Sequence, residues 1–187
     1  MDAAAAVIQE RGFEAATMAE IAARADARVG SLYRFFPSKE AVGEALMAHY
    51  GAVLEAEYAE IEARASGAAP EDLADVLIDL LVKLYPQTRA VTALLDRPAD
   101  VTEMRRRFRS VALNGIRRAL QACAPGLADG EAADVAAVVL NNMRTMVGMT
   151  LKDAPTTPGA PAELRLMNRL WLAARLAPGR GDRVNSG

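Results

Sequence analysis

Within twelve residues the sequence gathers donor groups suited to nucleic acid: guanidinium groups at Arg28 and Arg34, hydroxyls at Ser31 and Tyr33, and an ammonium at Lys39. A guanidinium fork matches the edge of a guanine, while hydroxyl and ammonium groups match phosphate oxygens. Other chemistry is thinly supplied. The 187 residues hold one histidine, His49, and one cysteine, Cys123, so neither a cysteine-built zinc site nor a His pair can form. No catalytic residue, cofactor or metal is expected, and the chain is not read as an enzyme. A lone cysteine also excludes an internal disulfide framework and suits a reducing compartment. No apolar run is longer than that from Val135 to Leu140, which falls far short of the roughly 20 residues a membrane span requires. The N-terminus lacks the basic segment of a signal peptide, so a cytoplasmic protein without membrane association is expected.

Three short helices are expected to carry the donors. The first covers about Asp2 to Arg11 and stops at Gly12. Thr17-Met18-Ala19-Glu20 reads as a capping box opening a second, which runs to about Ala25. After a tight break at Asp26-Ala27 comes a third, Arg28 to Phe35, ended by Pro37, with Ser38 capping the next. Two short helices so closely spaced have the helix-turn-helix layout, in which one helix enters the major groove and the other braces it. In the third helix Leu32 is the inward residue, and Gly30 lets backbone approach backbone. Thr17 is a further phosphate candidate.

The rest of the chain also has helical period and lacks sustained two-residue alternation. Helices are expected at about 38–65, 73–84, 87–96, 100–124, 130–151 and 162–176, broken by loops at 66–70, at Pro125-Gly126 and at 154–161. The fold class is therefore all-α: a three-helix head over residues 1–45, an antiparallel helical bundle over 46–177, about nine helices in all, and a disordered tail over 178–187. The segment 130–151 is apolar on more than one side, as expected of a helix buried by its own core and by a partner. Arg105, Arg106, Arg107, Arg109, Arg117 and Arg118 lie mostly opposite apolar residues and read as a solvated face.

Several ordered elements then converge on one pattern. Glu10-Arg11-Gly12-Phe13, Thr17-Met18-Ala19-Glu20-Ile21-Ala22, Gly30-Ser31-Leu32-Tyr33 and Phe36-Pro37-Ser38-Lys39-Glu40 together resemble the head of the TetR family of bacterial transcriptional regulators. That resemblance implies a homodimer, joined through the helices near 130–151 and 162–176, that binds a palindromic operator in double-stranded DNA. It also implies a small-molecule effector site in the C-terminal helices and places DNA contacts at Thr17, Arg28, Gly30, Ser31, Tyr33, Arg34 and Lys39. Asp26 stands where the family usually has glycine, a turn position expected to take positive φ, which Asp tolerates better than most residues. Arg28 stands where a small capping hydroxyl is usual.

Charge tempers this reading. Residues 1–50 hold five basic and seven acidic side chains, although the stretch from Arg24 to Lys39 is locally positive. Modest non-specific affinity and a shallow salt slope are expected. For the effector, Tyr85, Met104, Phe108, Asn142, Met143 and Met146 are the candidate contacts, because methionine-rich apolar surfaces adapt to varied apolar ligands. An apolar or amphipathic molecule releasing a repressor is the function expected. The alternative is a helical ligand-binding or interaction protein that has lost specific DNA binding.

Overall fold

The computed structural model describes residues 1–95, 102–151 and 157–177, the side chains of 91–95 and 102–105 excepted. It is all-helical among these residues: α1 Asp2–Arg11, α2 Met18–Arg24, α3 Val29–Phe35, α4 Lys39–Ala65, α5 Pro70–Leu95, α6 Thr102–Cys123, α7 Asp129–Leu151 and α8 Ala160–Leu176. The chain packs as two compact units. One comprises Met1–Val53 with Pro86–Arg109, and the other comprises Leu54–Tyr85 with the described chain from Ser110 onward.

The first unit closes around Val7 and Ile8 of α1, Phe13, Ile21 of α2, and Val42, Leu46 and Tyr50 of α4, with Ala90 of α5 and a partly buried Phe108 against the same cluster. Its helix starts are local events. The Thr17 hydroxyl accepts from the Glu20 amide at 3.2 Å, while the Glu20 carboxylate accepts from the Thr17 amide at 3.0 Å and from its hydroxyl at 2.9 Å. These bonds, with Arg11 nearby, hold the Glu20 carboxyl below its ordinary pKa. Ser38 likewise accepts from the Ala41 amide at 3.2 Å and starts α4. We expect Thr17→Ala to cost about 1 kcal/mol in urea unfolding at neutral pH. A carboxyl with a depressed folded pKa contributes its stability above that pKa and loses it as pH falls through it. The difference between wild type and variant therefore shrinks in acid, and equal losses at both pH values would contradict the reciprocal box.

In the second unit, buried residues recur at helical spacing: Leu54, Tyr58, Ile61 and Ala65 on α4, Leu73, Leu77, Leu80 and Leu84 on α5, and Ile116, Ala119 and Leu120 on α6. On α7 the buried set is Ala132, Val135, Ala136, Val139, Leu140, Met143, Met146 and Val147, and on α8 it is Asn168, Leu172 and Leu176. Arg165 of α8 makes paired bonds of 2.8 and 2.6 Å to Asp79 of α5, and Arg169 bonds Asp75.

The chain makes eight described helices rather than the nine expected, because α5 continues through Pro86. An internal proline removes one backbone hydrogen bond and crowds the preceding turn. Full burial of Leu84 before it and Ala90 after it anchors the helix on both sides. Pro86 also stands where α5 passes from the second unit to the first.

Candidate nucleic-acid interface

α3 has no buried residue. It is held to the first unit by Leu32 and by Phe36 just beyond its end, both only partly buried. The turn before it depends on Asp26, which adopts φ 50°, the positive value expected there. Arg28 is the helix N-cap but makes no side-chain capping bond, so the cap given up at this position leaves a guanidinium unengaged. Arg28, Gly30, Ser31, Tyr33 and Arg34 are all exposed. Among the described residues neither Arg28 nor Arg34 has an ion-pair partner. A Cβ at Gly30 would meet no atom within 4 Å, so the glycine is not required by internal packing and leaves an open notch on the helix surface.

The flanking cations are differently placed. Arg24 lies in a paired bond to Glu10, at 2.8 and 2.6 Å, which ties α2 to α1. That bond raises the Arg24 pKa and lowers that of Glu10. Arg24 therefore adds less to the local positive charge than a residue count suggests. Lys39 donates to the Glu14 carbonyl at 2.8 Å and sits 4.9 Å from the centre of the Phe13 ring. One of its three donors is thereby committed to the loop between α1 and α2. Thr17 is exposed, with its hydroxyl engaged in the capping box.

The candidate effector contacts fall in both units. Met143 and Met146 are buried in the second unit, where Tyr85 is half-buried. Asn142 donates to Asn168 of α8 at 3.0 Å, and Asn168 donates in turn to the Leu164 carbonyl at 2.8 Å. Phe108 belongs to the first unit and packs against the head cluster. The side chain of Met104 lies outside the described residues. A surface groove of about 500 Å³ in the second unit is lined by Ile61, Leu73, Val76 and several charged residues, but by none of the six candidates. Two of its carboxylates have basic neighbours in the groove itself, Glu57 with Lys83 and Glu60 with Arg64.

Tyr58 is a polar residue that the sequence reading passed over. Its ring is fully buried and its hydroxyl has no hydrogen-bond partner among the described residues. Burial pushes the phenol pKa far up. The signal was available, since Leu54, Tyr58 and Ile61 fall at i, i+4 and i+7 on the inward stripe of α4. Cys123 is half-buried and its thiol bonds the Ala68 carbonyl at 3.4 Å, while burial and Glu71 raise its pKa, the opposite of an activated thiolate.

Residues 1–46 match the N-terminal domain of the bacterial regulatory proteins of the tetR family. Over 39 residues the chain is 51% identical to the HTH-type transcriptional repressor KstR of Mycolicibacterium smegmatis, a match covering 21% of this chain and 19% of that protein. The whole fold has solved counterparts. The transcriptional regulator FadR of Bacillus subtilis, determined in complex with stearoyl-CoA, superposes with a TM-score of 0.63 at 17% identity, covering 94% of this chain and 95% of its own. The fatty acid degradation regulator FadR of Bacillus halodurans gives 0.64 at 20% identity, covering 91% and 95%. A candidate TetR-family transcriptional regulator from Mesorhizobium loti gives 0.56 at 19% identity, covering 94% and 92%. Residues 1–46 thus carry the N-terminal domain of the tetR family of bacterial regulatory proteins, and the described chain is all-helical like the solved regulators it superposes on.

Proposed function

We propose that the protein is a homodimeric transcriptional repressor that binds a palindromic operator and is released by a small apolar or amphipathic effector. The observation that carries the DNA-binding part is α3, an unburied helix whose Arg28 and Arg34 lack partners among the described residues. A helix packed for structure alone would bury a stripe, whereas one meant for the major groove keeps its polar ridge outside. In this reading Arg28 takes a guanine edge, Gly30 and Ser31 allow close approach, and Tyr33, Arg34, Lys39 and the Thr17 region hold phosphates.

The reading of a dimer rests on apolar side chains left outside. Val138 of α7 and Leu166, Met167 and Leu170 of α8 are between 44% and 63% exposed. The effector would lie in the second unit among the buried side chains of α4 to α7. There Met143 and Met146 supply pliable surface, and the unpartnered Tyr58 hydroxyl could receive a polar atom. The fold neighbour bound to stearoyl-CoA makes long-chain acyl compounds the first class to try. Part of α4 belongs to each unit, and an effector would act through its different affinity for the DNA-competent and DNA-incompetent arrangements. The proposed setting is cytoplasmic, with no catalytic role.

A gel-shift assay on the DNA upstream of the protein's own gene, followed by site selection from random duplexes, tests the central claim. Specific retardation is expected. Arg28→Ala should relax preference at one position per half-site, worth about 1–3 kcal/mol of discrimination, whereas Lys39→Ala should weaken all duplexes alike. Identical preferences for wild type and Arg28→Ala would remove the base-reading assignment. No retardation at any salt concentration would favour a helical interaction protein that has lost DNA binding.

A further inference from the structure

We propose that Phe35 determines operator specificity by packing its ring against a thymine C5-methyl group in each half-site. The proposal rests on the reading of α3 as the helix that enters the groove. Phe35 is 77% exposed, more than any other large apolar side chain among the described residues. Adjacent Phe36 is the aromatic that packs against the head cluster, so Phe35 is surplus to the packing of the helix. Leaving such a ring in water sacrifices the favourable transfer of its apolar surface.

Its position on the helix gives it a role. At 3.6 residues per turn, Arg28, Ser31 and Phe35 stand at i, i+3 and i+7 and share one flank, next to the ridge formed by Gly30 and Arg34. A helix seated in the major groove therefore presents two polar groups and one large apolar ring along a single line. The groove offers polar partners for the first two in guanine edges and phosphates. For the ring, the only apolar group that distinguishes one base from another there is the C5-methyl of thymine. Phenylalanine has no donor or acceptor and cannot contribute to phosphate binding, so its contribution must be to shape and methyl recognition.

The test uses the full-length protein and the duplex it selects, in which each thymine is replaced singly by uracil. That exchange deletes one methyl group and leaves every hydrogen-bonding edge intact. For wild type, uracil at one thymine per half-site should weaken binding about four-fold, the transfer value of one buried methyl. Phe35→Ala should bind the thymine and uracil duplexes equally, with the melting temperature of the free protein unchanged because the side chain is exposed. If Phe35→Ala weakened every duplex while uracil was tolerated throughout by wild type, the ring would be packing on sugars and the proposal would fail. It would fail also if Phe35→Ala kept the full thymine preference of wild type. Absence of any wild-type retardation would defeat the DNA-binding reading itself, and this inference with it, an outcome distinct from binding that ignores the methyl group.

Discussion

Leu170→Glu is expected to leave the fold of the chain intact, to convert the protein to monomers, and to weaken operator binding at least about a hundred-fold. Leu170 is 63% exposed on an apolar strip of α8 that includes Leu166 and Met167, with Val138 exposed on α7, the helix against which α8 packs. A charge there meets water in the single chain and costs its stability little. In a two-fold symmetric pair the same patch faces its own copy, so two carboxylates and their desolvation would be forced into the interface. Operator affinity then falls because a dimer delivers its second head at high effective concentration, a gain of about 10²–10⁴ that monomers lose. Light scattering and the gel-shift assay measure the two consequences separately. A variant that stayed dimeric, or a monomer that bound the palindrome as tightly as wild type, would contradict the proposed interface.

Gly115→Ala should be strongly destabilising. A Cβ at residue 115 would lie 2.3, 2.5 and 2.6 Å from Cγ, Cδ2 and Cβ of Tyr58. Those atoms are the root of a fully buried side chain and cannot swing aside, so either the ring leaves its rotamer or α4 and α6 separate locally. Overpacking of this kind costs about 1–3 kcal/mol or more, against about 1 kcal/mol gained from replacing glycine inside a helix. We expect a net loss of about 1–2 kcal/mol and a melting temperature lower by about 2–8 °C for a chain of this size. Combining it with Tyr58→Phe should not rescue stability, because the crowded atoms are common to both rings. Gly51→Ala, where a Cβ would meet nothing within 4 Å, serves as the control and should be neutral or stabilising. A Gly115→Ala protein as stable as wild type would show that the ring has room the structure does not contain.

The effector candidates show what helical patterning leaves open. Met143 and Phe108 carry similar apolar side chains at inward helical positions, and period alone puts both in one core. The structure buries Met143 in the second unit and packs Phe108 against the head cluster of the first. Helical period says which face of a helix turns inward, but not which neighbour it meets. Asn142 shows the same gap, since a polar interruption in an apolar helix invites a ligand until its bond to Asn168, 26 residues away, is seen. Tyr58 reverses the case: an aromatic on a core stripe reads as filler until its hydroxyl is found without a partner.

What the sequence determined by itself was whatever depends on residues within a turn of one another. The Thr17–Glu20 box and the Ser38 cap were legible because the groups concerned lie three residues apart and their geometry is set by local backbone preference, and the positive φ at Asp26 followed from the family resemblance. The ordered head signature belongs here too, since a short run of caps, turns and inward residues specifies three short helices. Only the tertiary structure decided that Arg24 is committed to Glu10 and Lys39 to the Glu14 carbonyl, that α5 continues through Pro86, and that Gly115 exists to accommodate Tyr58. Each of those depends on partners 14 to 57 residues apart or on burial to either side of a weak point. Such distances are closed only by packing, which no local periodicity encodes.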